Sequence, residues 1–153
     1  MVHRDIKPEN VMIHEGVAMV LDFGVARVDE AAGAETLTQA GTMVGTPAYV
    51  SPEQVTGEVT IDGRSDEYSL ACVVYEMLSG ERPFQGPNAH AVMARRLTET
   101  ARPLRTIREA VPESIERAVA RAMATDPGQR FANSAEFAQA LVAGFGPVAV
   151  WSQ

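Results

Sequence analysis

His3-Arg4-Asp5-Ile6-Lys7-Pro8-Glu9-Asn10 is the stretch on which the rest of the chain is read. Asp, Lys and Asn fall within six positions, on a segment that Pro8 keeps from being a regular helix. The carboxylate suits the acceptance of a hydroxyl proton, the ammonium the neutralisation of a phosphate, and the amide oxygen the binding of a hard cation. Twelve residues beyond Asn10 stands Asp22-Phe23-Gly24, a second oxygen donor that would complete a Mg²⁺ site. Any one of these residues alone reads equally as a solvated loop charge. The ordered set, with identity and spacing in agreement, points to phosphoryl transfer.

Working outward, Val11-Met12-Ile13, a turn at Glu15-Gly16 and Ala18-Met19-Val20-Leu21 predict a small β-hairpin. Residues 25–50 are rich in Gly, Ala and Thr without a sustained period, which predicts a long functional loop. Beyond it the chain turns helical. Apolar residues from Tyr68 to Leu78 cover most of a helix circumference, as in a buried central helix stopped by Gly80. A shorter polar helix is expected over 90–97. Another over 113–123 opens behind Pro112, taken as a favoured first helical position. A last one starts at Asn133, with Glu136 three positions on, and runs to about Ala143, ended by Gly144 and Gly146. Two units follow: a domain over 1–143 and a tail over 144–153.

Composition narrows the function classes. The chain has 153 residues, 46% hydrophobic and 22% charged, which is the balance of a soluble globular domain. Its net charge of −7 gives no basic stripe for nucleic acid, and no membrane span or apolar leader is expected. The single Cys72, with no possible internal disulfide, fits a reducing cytoplasm and reads as a small core residue. His14 and His90 read as surface residues. Lys7 is the only lysine.

The segment from His3 to Asn10 resembles the catalytic loop of eukaryotic-like protein kinases, and Asp22-Phe23-Gly24 resembles their metal-binding motif. Ser51-Pro52-Glu53 stands where that family has Ala-Pro-Glu. Asp66-Glu-Tyr-Ser-Leu70 looks like its central helix, and Pro83-Phe84 with Gly86 and Asp126-Pro127 with Arg130 match later landmarks. The resemblance covers residues 2–143 and is closest in wording to bacterial serine/threonine kinases, with Lys7 favouring Ser/Thr over Tyr. It implies a mainly α fold: the C-lobe of a kinase, a helical bundle with a small β-hairpin that carries the metal-binding loop.

The roles implied follow position by position. Asp5 would orient the substrate hydroxyl and take its proton, Lys7 would sit on the transferring phosphate of ATP, and Asn10 and Asp22 would hold Mg²⁺. Met12 would floor the adenine, or is plain core. Thr46 would hydrogen-bond the catalytic loop and prefer Ser/Thr acceptors, or is an ordinary turn threonine. Arg4 and Arg27 would gather a phosphothreonine, with Thr42 favoured, Thr38 second and Thr36 third, unless these threonines only solvate the loop. Glu53 and Arg130 look like a buried ion pair, Asp66 like a structural residue opening the central helix, and His3 and Phe23 like packing residues that align the site. Ala71 departs from a usual glycine, and Glu67 from a usual apolar residue.

A complete kinase places a Gly-rich loop, a strand lysine and a helix glutamate before the catalytic loop. Here that loop begins at His3, so the chain is expected to be a fragment without the N-lobe. Little activity alone and marginal stability follow. The intact protein would phosphorylate protein Ser/Thr from ATP and Mg²⁺, in the cytoplasm or anchored to a membrane by a segment elsewhere. The competing reading is a kinase-like docking module without catalysis.

Overall fold

The computed structural model describes residues 2–21 and 47–146. The sequence readings for Asp22, Phe23, Arg27, Thr36, Thr38, Thr42 and Thr46 lie outside the described residues.

Strands β1 (Val11–His14) and β2 (Val17–Val20) form the expected antiparallel hairpin, with Val11 opposite Val20 and His14 opposite Val17. Glu15 and Gly16 both take positive φ, 50° and 78°, as a two-residue hairpin turn requires. The sheet is not a core element. Ile13 is 66% exposed and Met12 41%, so the plain-core reading of Met12 does not hold.

The body is helical: α1 (Pro52–Thr56), α2 (Gly63–Ser79), α3 (Ala89–Thr98), α4 (Leu104–Ile107), α5 (Glu113–Ala122) and α6 (Ser134–Phe145). α2 is central, in contact with α4, α5 and α6. The Asp62 carboxylate caps its start by accepting from the Arg64 amide, and Gly80, at φ 81°, closes its end. Tyr68, Ala71, Cys72 and Tyr75 of α2 meet Ile115, Val119 and Ala122 of α5 and Phe137 of α6 in one apolar core. Met77, at 75% exposed, faces away from it. No described helix is long and apolar enough to cross a membrane.

Three local expectations are corrected. Pro112 is the residue before α5 rather than its first, with ψ 141° in the extended region. Gly144 lies inside α6 and does not end it. A Cβ there would come within 2.5 Å of Ile115 Cδ1, so the glycine permits close approach of α6 to α5. The helix therefore runs to Phe145, and Gly146, at φ 74°, terminates it. Asn133 caps α6 as expected, accepting from the Glu136 amide at 3.1 Å, but the Glu136 carboxylate returns to Ala132 N rather than to the cap residue's own N–H.

Candidate functional site

The loop 3–10 is built by short-range bonds and anchored by one long-range clamp. Arg4 adopts φ 66°, a left-handed conformation that costs a side-chain-bearing residue about 1–2 kcal/mol. The Asp66 carboxylate, on the first turn of α2, compensates by accepting from two successive amides, His3 N at 2.7 Å and Arg4 N at 2.8 Å. Gln54 of α1 adds a bond from Nε2 to the Arg4 carbonyl at 3.0 Å. The buried His3 imidazole accepts from Asp5 N–H at 3.2 Å through Nδ1, while its Nε2 faces the Leu21 carbonyl at 3.3 Å. One tautomer serves both contacts.

On this frame the three predicted catalytic residues come together. Asn10 Nδ2 donates to the Asp5 carbonyl at 2.8 Å and to Asp5 Oδ2 at 3.0 Å. Lys7 Nζ lies 3.1 Å from the same Oδ2. A single carboxylate oxygen thus receives both an amide and an ammonium, on a side chain that is 56% exposed. The Asn10 carbonyl accepts from Leu21 N at 2.8 Å, which ties the loop to the residue directly before Asp22.

Its Nδ2 is committed to Asp5, and among the described residues no partner engages the Asn10 amide oxygen, a hard neutral donor of the kind Mg²⁺ takes. Among the described residues no trio of His, Cys, Asp or Glu is grouped for a metal. The Arg4 guanidinium has no carboxylate partner among the described residues.

The Glu53–Arg130 pair is present and buried. Nη1 and Nη2 of Arg130 reach the two carboxylate oxygens at 2.8 and 2.9 Å. Burial pushes the Glu53 carboxyl up, but the Arg130 hydrogen bonds and charge more than reverse this and hold it below its ordinary value. His14 and His90 are exposed and Cys72 is fully buried, where burial pushes its thiol up to about 12.

Three residues with no sequence-based assignment join the architecture. Gln54 completes a capping box with Ser51 and reaches the loop 3–10. Tyr49 donates its hydroxyl to Glu76, and burial followed by that carboxylate pushes its pKa to about 12. Arg96 of α3 is 1% exposed and bonds the carbonyls of Pro47 and Ala48. Ser51-x-x-Gln54 was a readable capping signal; the other two depend on partners far along the chain.

A helical lobe whose central helix clamps a loop bearing Asp, Lys and Asn together is the arrangement of a protein-kinase lobe. The chain matches the protein kinase domain over residues 1–142 and belongs to that family. It is 47% identical over 139 residues to the probable serine/threonine-protein kinase PknB of Bifidobacterium longum, covering 90% of this chain and 20% of that protein. It spans about a fifth of the length of the curated relatives it matches. Among solved structures it resembles the kinase domain of Mycobacterium tuberculosis PknI, with TM-score 0.65, 25% identity, and 94% of this chain and 46% of that one covered. It also resembles Rad53 1-466 in complex with AMP-PNP, with TM-score 0.68, 26% identity, and 93% and 34% covered.

Proposed function

We propose that this chain supplies the catalytic loop and substrate-binding lobe of a protein serine/threonine kinase, which moves the terminal phosphoryl group of ATP to a Ser or Thr hydroxyl of a protein. The observation that carries the reading is the convergence of Asn10 Nδ2 and Lys7 Nζ on one oxygen of Asp5. The two donors fix the carboxylate's orientation and leave its second oxygen to accept a hydroxyl proton. Lys7, paired to Asp5 yet still partly exposed, is in reach of an incoming phosphate and would balance its equatorial charge. The amide oxygen of Asn10 and the carboxylate of Asp22 would hold Mg²⁺, and Met12, partly exposed on β1, would meet the adenine. When bound, Mg²⁺-ATP supplies the phosphoryl group and neutralises its charge. The chain's own contribution is positioning, which dominates catalysis of this reaction.

Preference for Ser and Thr is supported by Lys7 and by the names of the relatives. Regulation through a phosphothreonine at Thr42, or Thr38 after it, is supported by the Arg4 guanidinium, whose charge no described carboxylate balances; Arg27 would join it. Thr46 would orient the acceptor.

The test is phosphate transfer from radiolabelled ATP to a Ser/Thr peptide by the full-length protein. Asp5→Asn keeps the shape of the loop and removes the base, so the rate is expected to fall by about 10²–10⁴. Retention of the unmutated rate would overturn the assignment. Binding of a protein partner unchanged by Asp5→Asn, with no transfer by either form, would instead select the docking-module reading.

A further inference from the structure

Arg96 takes no part in the chemistry above, yet it is 1% exposed and its charge has no carboxylate within ion-pair distance among the described residues. Nη1 donates to the Pro47 carbonyl and Nη2 to the Ala48 carbonyl at 2.6 Å. The guanidinium carbon lies 5.8 Å from the Tyr68 ring centroid and 5.7 Å from that of Phe84. Among the described residues Nε has no hydrogen-bond partner. A buried cation met, among the described residues, by carbonyls and aromatic side chains rather than by a carboxylate is an unfavourable way to fill a core. An aliphatic residue at this position would fill space at no electrostatic cost. What the arginine adds is purchase on backbone: from 48 and 49 positions along the chain it holds two successive carbonyls, directly after Thr46.

That backbone borders an open groove of about 670 Å³. Pro47 and Ala48 line one side, and Phe84, Ala89 and Val92 are among the residues lining the rest. Bonding two consecutive carbonyls fixes the peptide plane between them, and so fixes the wall of the groove. The planar fork of Arg suits this double contact, whereas a lysine offers only a point charge.

We infer that Arg96 is a positioning residue for the protein substrate: by fixing the 47–48 backbone from α3, it sets the affinity for the acceptor peptide without touching it. This rests on the kinase reading above. It places the determinant on α3 rather than on the residues proposed to meet ATP and Mg²⁺, so peptide and nucleotide affinities should separate.

The experiment is steady-state kinetics of the full-length protein with a Ser/Thr peptide and ATP, comparing Arg96→Leu and Arg96→Lys with the unmutated form, and with hydrogen exchange of residues 48–50 followed in each. Expected for Arg96→Leu is a rise of about tenfold or more in KM for peptide, as loss of charge-assisted bonds implies. The KM for ATP should stay within about twofold, and exchange at residues 48–50 should be faster while the central helix is unchanged. Arg96→Lys, which retains a donor, should recover part of the peptide KM and guards against a leucine variant that fails to fold. Two outcomes overturn the proposal with the kinase reading intact: a peptide KM unchanged in both variants, or peptide and ATP constants that shift together. No transfer by the unmutated protein overturns the kinase reading, and this inference with it.

Discussion

Replacing Arg130 by leucine should be among the most damaging single changes in this chain, and the geometry sets both its size and its pH dependence. All five donors of the guanidinium are used. Nε donates to the Ala124 carbonyl at 2.8 Å; Nη1 to Glu53 Oε1 at 2.8 Å and the Arg64 carbonyl at 2.9 Å; Nη2 to Glu53 Oε2 at 2.9 Å and the Thr125 carbonyl at 3.2 Å. The same group stacks 4.9 Å from the Tyr68 ring centroid. Leucine would strand a carboxylate on a residue 4% exposed and remove the donor from three carbonyls. Breaking a buried pair in this way costs about 3–5 kcal/mol, against a total of about 5–15 for a domain. With a urea slope of about 2 kcal/mol/M, the midpoint should fall by about 2 M. The sign with pH follows from Glu53. Its carboxyl is held below the ordinary 4.5 in the folded protein, so the pair's contribution is present above that value and is lost as pH falls through the folded one. In Arg130→Leu the largest opposition to burial is lost, leaving only the bonds from the Glu53 backbone and the Ser65 side chain, and the carboxyl should rise. The variant's deficit should therefore shrink as acid protonates Glu53. Urea unfolding followed by circular dichroism between pH 4 and 8 reads both effects. A loss below about 1 kcal/mol, the size of a surface pair, would refute the reasoning, as would a deficit independent of pH. Removing both partners, Glu53→Leu with Arg130→Leu, should cost less than Arg130→Leu alone.

Glu67 should behave oppositely. It is fully buried, and desolvation raises its carboxyl above 4.5 despite the bond from Phe131 N and the charges of Arg130 and Arg121. Its folded-state preference for the protonated form means that it favours stability at low pH and penalises it as pH rises through the raised value. Glu67→Gln keeps an acceptor for Phe131 N and removes the charge, so its stability relative to the unmutated protein should improve from pH 4 to 8 in urea titrations; a difference flat across that range would count against this account. Cys72, with its thiol pushed up to about 12 by complete burial, should resist iodoacetamide at pH 8 and react once urea unfolds the protein. Labelling in native buffer at the unfolded rate would contradict the burial.

How much could be read beforehand depends on how far each residue's partners lie along the chain. Asp5, Lys7 and Asn10 were legible because their contacts fall within five positions and each side chain carries its chemistry openly. The hairpin and the long helices were legible because turn residues and apolar spacing are local. α1 and α4 have 5 and 4 residues, too few to show a helical period against their flanks. Pro112 and Gly144 were misplaced by a turn or less, since the deciding factor for Gly144, the proximity of Ile115, exists only after α5 and α6 have packed. Arg96 and Glu67 failed for a deeper reason. Both occupy apolar-register positions, Arg96 four residues after Val92 and Glu67 four before Ala71, yet a count of hydrophobic residues scores them as polar surface. Their partners lie 48 and 64 positions away, so no local pattern reports their burial. A charge in an apolar register is either a mistake of register or a residue held by distant backbone. Among the described residues it is the second at Arg96 and Glu67, and each time the distant backbone belongs to a non-helical segment that the helix holds in place: 47–48 before α1, and 131 before α6. The central bundle is therefore more than a scaffold beneath the catalytic loop, because its buried charges reach outward to fix the irregular segments that helical packing alone leaves unconstrained.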